Sequence, residues 1–369
     1  MQFDMITTQT QLHDFIATLD DSPISLDTEF VRTRTYLANL GLLQISQNNK
    51  ITLIDPLAIT DLSAFWSALN EKKCILHASS EDLEIIREHK GDLNIKLFDT
   101  QVACAFLNLG ASLGYAKMVE TLEGIVVDKG ESRTDWCQRP LSAKQINYAA
   151  IDVLYLQSCL ENLQKRLEEK KMTLFFEQEC QMILNQKMQT QDPEKAYKSF
   201  NNLFKLDRQG LAVIKALATW RLLTAKSRNL ALNFVVKEDH LWLLAHYRPA
   251  SFEDLHRLHL LPNEIRIHGD TILAIIKEVA QQDPETYPPM FRVSWIFQPT
   301  KRQLKQCAVK FNCARKNMNY RLKLIASKRI INEYLSWLWK LDAEQKKTAK
   351  KPKLLSEWRF ELIGHQFEH

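Results

Sequence analysis

The stretch "ISLDTEF", residues 24–30, is strand-forming except for two acids, Asp27 and Glu29. In a strand, residues i and i+2 point to the same face. The two carboxylates therefore stand side by side at the end of a buried strand. Like charges that close repel unless a cation lies between them. Working outward, "LGLLQIS" (40–46), "ITLID" (51–55) and "KCILH" (73–77) also read as short strands. Helical periodicity runs over 62–70, 80–89, 100–109, 114–123 and 142–166. Strands first and helices interleaved afterwards predict a mixed α/β domain ending near residue 185.

The chain has 369 residues, more than one ordinary core holds, so two or three domains are expected. No apolar run approaches the roughly 20 residues that span a bilayer, so no membrane partner is expected. The 7 cysteines are widely spaced with no CxxC, against both a disulfide framework and a zinc knuckle. The start, "MQFDMITTQT", has no secretory pattern, and the expected location is cytoplasmic. After residue 190 strand signals nearly vanish. "QDPEKAY" (191–197) and "QDPETYPP" (282–289) break the helical remainder into two small all-helical domains.

Charge is uneven along the chain. Residues 301–369 hold 17 Lys and Arg against 6 Asp and Glu, an excess of +11. The whole chain carries +5, so the first 300 residues carry −6. A basic tail behind an acidic body suits capture of a polyanion, the alternative being a solvated helical surface.

Two further stretches bring acids toward Asp27 and Glu29. "HASSEDLEIIREH" (77–89) follows a strand and opens a helix. Ser79 or Ser80 reads as its N-cap, and Asp82 sits in its first turn, where an acid also simply favours the helix dipole. "NYAAIDVLYL" (147–156) puts Tyr148 and Asp152 at i and i+4, on one helix face. A buried Asp needs a partner, and no Lys or Arg lies one turn away. Four converging carboxylates point to divalent ions, and hard oxygen ligands suit Mg²⁺ or Mn²⁺. Two such ions stabilise both the attacking and the leaving oxygen of phosphodiester hydrolysis. Tyr148 is then the candidate to position or deprotonate the attacking water.

"LDTEF", "HASSEDLEII" and "YAAIDVLYL" resemble the three exonuclease motifs of the DEDD superfamily, in its tyrosine-containing branch. "RTRTYLANLGLLQIS" and "DKGESRTDWCQRPLS" resemble the bacterial ribonuclease D family, and the helical remainder resembles its HRDC modules. The resemblance implies an RNase H-like α/β exonuclease domain over 1–190, an HRDC domain over 200–284 and an HRDC-like domain over 288–369. It implies Asp27, Glu29, Asp82, Tyr148 and Asp152 as catalytic residues, the four acids holding two divalent ions. It also implies 3′→5′ trimming of structured RNA, tRNA precursors above all, with release of nucleoside 5′-monophosphates. The alternatives are a DNA 3′→5′ exonuclease of the same superfamily and a noncatalytic RNA-binding protein.

Other candidates concern RNA contact. Phe30 follows the acids and either stacks on a terminal base or packs a strand end. His77, at a strand end, is either an RNA contact or a hydrogen-bonded structural group. Arg133 and Arg139 flank Trp136 in "ESRTDWCQRPLS". Either this loop grips the terminal nucleotides, or Asp135 pairs with its arginines. Lys301, Arg302, Lys305, Arg315 and Lys316, with Arg321, Lys323, Lys328 and Arg329, are the phosphate-contact candidates of the basic tail.

Overall fold

The computed structural model describes residues 2–91, 93–127, 130, 134–190, 192–290, 327–341, 343–362 and 364. The chain forms two compact units. Of the described residues, those within 2–31, 40–189 and 327–364 form one, and those within 32–39 and 190–290 the other.

In the first unit six strands form one sheet: β1 (Asp4–Ile6), β2 (Ile24–Val31), β3 (Asn39–Gln47), β4 (Lys50–Ile54), β5 (Lys73–Leu76) and β6 (Lys96–Asp99), in the order β1-β4-β3-β2-β5-β6. β3 and β4 pair antiparallel as a hairpin, with Leu43 opposite Ile54 and Gln47 opposite Lys50. β2–β5, β5–β6 and β1–β4 are parallel. All of β3 after Asn39 is buried, which fits its near-continuous apolar run and marks a strand covered on both faces. β2 lies inside the sheet, so Asp27 and Glu29 stand beside the β5 end that leads into α3 (Ser80–Lys90).

The expected strands occur, as do the expected helices up to residue 123, and the structure adds β1, β6, α1 (Gln9–Thr18) and a helix over Thr173–Met188. "DMI" and "KLFD" are too short to show periodicity, and only pairing with β4 and β5 makes them strands. The helix α1 opens with a capping box between Thr8 and Gln11. After α2 (Ser63–Ala68) and α3 come α4 (Thr100–Phe106) and α5 (Tyr115–Glu123). The single helix expected over 142–166 is two: α6 (Ala143–Leu154) and α7 (Leu156–Glu169), broken at Tyr155. α8 (Thr173–Met188) follows.

The C-terminal residues of this unit are keyed to α8 by one buried cluster. Trp358, on the short helix Glu357–Leu362, donates from Nε1 to Glu179 Oε2 at 2.8 Å. Arg359 donates to both Glu179 oxygens at 2.8 and 2.9 Å. The Trp358 ring packs 5.0 Å from that of Phe106.

The second unit is helical: α9 (Arg208–Ser227), α10 (Leu232–Val235), α11 (Glu238–Tyr247), α12 (Phe252–Arg257) and α13 (Pro262–Ala280). Its core centres on Leu211, Ile214, Leu217, Leu241, Leu255 and Ile272, drawn from four of these helices. Gly210 is needed where α9 meets α11, because a Cβ there would lie 2.9 Å from the Ala245 carbonyl oxygen. The link between β2 and β3 belongs to this unit. Ala231 N–H donates to the Arg34 carbonyl and Leu37 N–H to Asn229 Oδ1, both at 2.9 Å. Among the described residues no helix is long and apolar enough to cross a membrane.

Candidate active site

Three elements deliver the acids. β2 presents Asp27 and Glu29, and α3 brings Asp82 in its first turn. α6 starts at a capping box, Ser142 with Gln145, and carries Tyr148 and Asp152 on one face while Ala149, Ala150 and Val153 are buried. One carboxylate oxygen from each of Asp27, Glu29 and Asp152 lies within 4.8 Å of the others. Asp82 stands beside this trio, its Oδ1 accepting the Thr28 hydroxyl at 2.6 Å.

The start of α3 is fastened differently from the sequence expectation. Ser79 occupies the N-cap position but its hydroxyl does not cap the helix. It donates to Asp99 Oδ2 at 2.8 Å, and the Ser79 and Ala78 amides also donate to Asp99. Asp99 at the same time caps α4 through the amides of Gln101 and Val102. One buried carboxylate thus pins two helix starts, including the turn that carries Asp82.

The electrostatics are those of crowded acids, Asp82 buried and the other three half-buried. Burial pushes the Asp27 carboxyl well above the usual range, and the charges of Asp82, Asp152 and Glu29 add to it. Glu29 is pushed up to about 9 by burial and by Asp152 and Asp82. Asp152 rises to about 7 by burial, opposed by the hydrogen bond it accepts from Tyr148. Asp82 rises to about 6 by burial, opposed by the Thr28 bond. Among the described residues no Lys or Arg pairs with any of the four. The Tyr148 phenol is pushed up by burial and by Asp152 and Glu29.

Several RNA-contact candidates have other employment. Trp136 is 1% exposed, and its ring lies behind Tyr148, centroids 6.1 Å apart. It therefore supports the site from inside and does not present a face to a base. Arg139 directs its N–H groups at both Asp55 oxygens (each 2.6 Å) and at the carbonyls of Gly41, Trp136 and Gln138. That guanidinium clamps its loop to the β3–β4 hairpin and is not free to fork onto phosphate; its acid is Asp55, not Asp135. His77 is held by Thr100, Nδ1 to Oγ1 2.9 Å, and packs its edge on Tyr115. Its Nε2 is shielded, and burial lowers its pKa against the pull of Asp99, so it is a neutral structural ring. Phe30 is half-buried at the end of β2. Arg133, Lys301, Arg302, Lys305, Arg315, Lys316, Arg321 and Lys323 lie outside the described residues. Arg329 is exposed on the helix Lys328–Lys340.

Residues the sequence did not flag include Thr28, Asp99 and Tyr115. A hydroxyl between two paired acids was the available signal for Thr28. Nothing local marks Asp99 or Tyr115, whose partners are distant in the chain.

The 3′-5′ exonuclease family matches residues 3–168, the HRDC domain 210–276, and the C-terminal HRDC domain of ribonuclease D 297–367. Ribonuclease D of Psychromonas ingrahamii is 71% identical over the full length of both chains. The chain belongs to the ribonuclease D family. Ribonuclease D of Escherichia coli is 40% identical, over 99% of this chain and 97% of that one. The crystal structure of Escherichia coli RNase D, an exoribonuclease involved in structured RNA processing, superposes with a TM-score of 0.90 at 37% identity, covering 99% of this chain and 97% of that chain. The expected α/β exonuclease fold followed by HRDC domains is therefore correct, and membership of the family makes the chain a 3′→5′ exoribonuclease.

Proposed function

We propose that the chain trims the 3′ ends of structured RNA, tRNA precursors above all, and releases nucleoside 5′-monophosphates. The observation that carries this reading is the cluster of half-buried Asp27, Glu29 and Asp152 with buried Asp82 beside them, paired with no cationic side chain among the described residues. The donor set is all oxygen, which fits two Mg²⁺ or Mn²⁺ ions. Such ions, when bound, supply a nucleophilic hydroxide and stabilise the leaving oxygen. The four carboxylates would hold them, and Tyr148, hydrogen-bonded to Asp152, orients the attacking water. Phe30, next to Glu29, stacks on the terminal base in this reading.

The division into 1–190, 200–284 and 288–369 assigns hydrolysis to the first part and RNA capture to the other two. Lys301, Arg302, Lys305, Arg315 and Lys316 contact phosphates, and RNA is the partner throughout. Free buried thiols at Cys74, Cys104, Cys159 and Cys180 suit work in the reducing cytoplasm.

The test is incubation of a 3′-extended tRNA with Mg²⁺ or Mn²⁺, with and without EDTA, followed by product sizing. Mononucleotides that vanish with EDTA are expected. Asp27→Asn and Asp152→Asn should fold and bind the RNA while losing nearly all hydrolysis. Near-normal turnover by either purified variant would remove the site assignment.

A further inference from the structure

The break between α6 and α7 has no local cause. "AAIDVLYLQSCL" (149–160) holds neither proline nor glycine, and its periodicity is that of one continuous helix. In such a helix the Tyr155 N–H would donate to the Ile151 carbonyl, four residues back. Instead the Tyr115 hydroxyl stands between them. It donates to the Ile151 carbonyl at 2.6 Å and accepts from the Tyr155 N–H at 3.3 Å. The Tyr155 N–H also faces the Val153 carbonyl, and Tyr155 sits at φ −96°, ψ 0°. The ladder resumes when Cys159 N–H donates to the Tyr155 carbonyl at 3.0 Å. An inserted side chain is a known cause of a helix break.

Asp152 is the residue next to Ile151, on the last turn before this wedge. We propose that Tyr115 is a positioning residue: its hydroxyl, set into the ladder between Ile151 and Tyr155, fixes the direction in which Asp152 presents its carboxylate to Asp27 and Glu29. Tyr115 can do this because it is itself anchored, at the first turn of α5 and against the His77 ring, 5.8 Å away. The inference rests on the proposed role of Asp152 as a metal ligand. Without the hydroxyl, Tyr155 N–H recloses on Ile151, α6 runs on into α7, and Asp152 turns away from its partners.

The test uses Tyr115→Phe, which keeps the ring. Mn²⁺ binding is followed by electron paramagnetic resonance without RNA, well below the melting temperature, and kcat and KM are measured for RNA. Mn²⁺ affinity and kcat should fall about 10- to 100-fold, as for other partners that orient a ligand, with KM within about twofold of wild type. A hydroxyl that serves stability alone would lower the melting temperature and leave both untouched, which overturns the proposal. Binding lost in Asp152→Asn but kept in Tyr115→Phe overturns this inference alone. No Mn²⁺ binding by the wild type overturns the metal reading and this inference with it. Should Tyr115→Phe not fold, amide exchange in the wild-type peptide around Tyr155 decides. Exchange slows on adding Mg²⁺ if wedge and metal site are coupled, because coupling is reciprocal, and unchanged exchange overturns the proposal.

Discussion

Asp27, Glu29, Asp82 and Asp152 all have carboxyl groups raised above their ordinary values when no cation is present. A raised folded-state pKa means the folded protein binds more protons than the unfolded chain above about pH 4. Stability of the metal-free protein therefore falls as pH rises, through about 6 for Asp82, about 7 for Asp152 and about 9 for Glu29. In EDTA, thermal melts from pH 5 to 9 should show this decline. Added Mn²⁺ should raise the melting temperature more at pH 8 than at pH 5, and an equal rise at both would contradict the electrostatic account. Thr28→Val keeps the shape of β2 and removes the hydroxyl donated to Asp82. A buried acceptor left without its donor costs about 1–3 kcal/mol, to be read by urea unfolding in EDTA, and turnover should fall as Asp82 loses its anchor. Spacing alone puts 27 with 29 and 148 with 152, while Asp82 was legible only from the strand-to-helix junction and the family motif. Thr28 and Tyr115 were not, because their roles depend on what the fold sets opposite them.

Elements show the same division. The strand-to-helix junction was readable: "HASSEDLE" does open a helix, and the structure adds the Ser142–Gln145 capping box that begins α6. Ser142→Ala removes the side-chain acceptor of the Gln145 amide and should cost about 1 kcal/mol, measured by chemical denaturation. Because α6 carries Tyr148 and Asp152 from that start, kcat should fall while RNA affinity is kept. Sequence periodicity missed the break at Tyr155, since the wedge comes from residue 115. Of the two readings of the "DWCQRP" loop the structure fits the structural one for Trp136 and Arg139, with Asp55 in place of Asp135 as the partner of Arg139. A Cβ at Gly41 would lie 2.6 Å from the Trp136 carbonyl oxygen, so only glycine lets the loop lie against β3.

Across the whole molecule, the sequence order of domains does not match the grouping by compactness. The described residues within 327–364 group with the nuclease, and residues 32–39 with the helices of the second unit. The first grouping is anchored by Glu179, which serves Arg359 and Trp358 together. Glu179→Ala removes the acid that Arg359 and the Trp358 indole N–H share in a buried place. Breaking a buried pair this way costs about 3–5 kcal/mol, and the melting temperature should drop accordingly; an unchanged melt would show that the cluster is dispensable. The sequence by itself determined which residue types recur at which spacing, and so the α/β class, the helical tail and the acids that share a face, because those are consequences of strand and helix periods. Only the tertiary structure decided which acids meet, which helix start Asp99 holds, where α6 breaks and which end of the chain α8 receives, because each depends on groups far apart in sequence competing for the same hydrogen bonds and the same buried space.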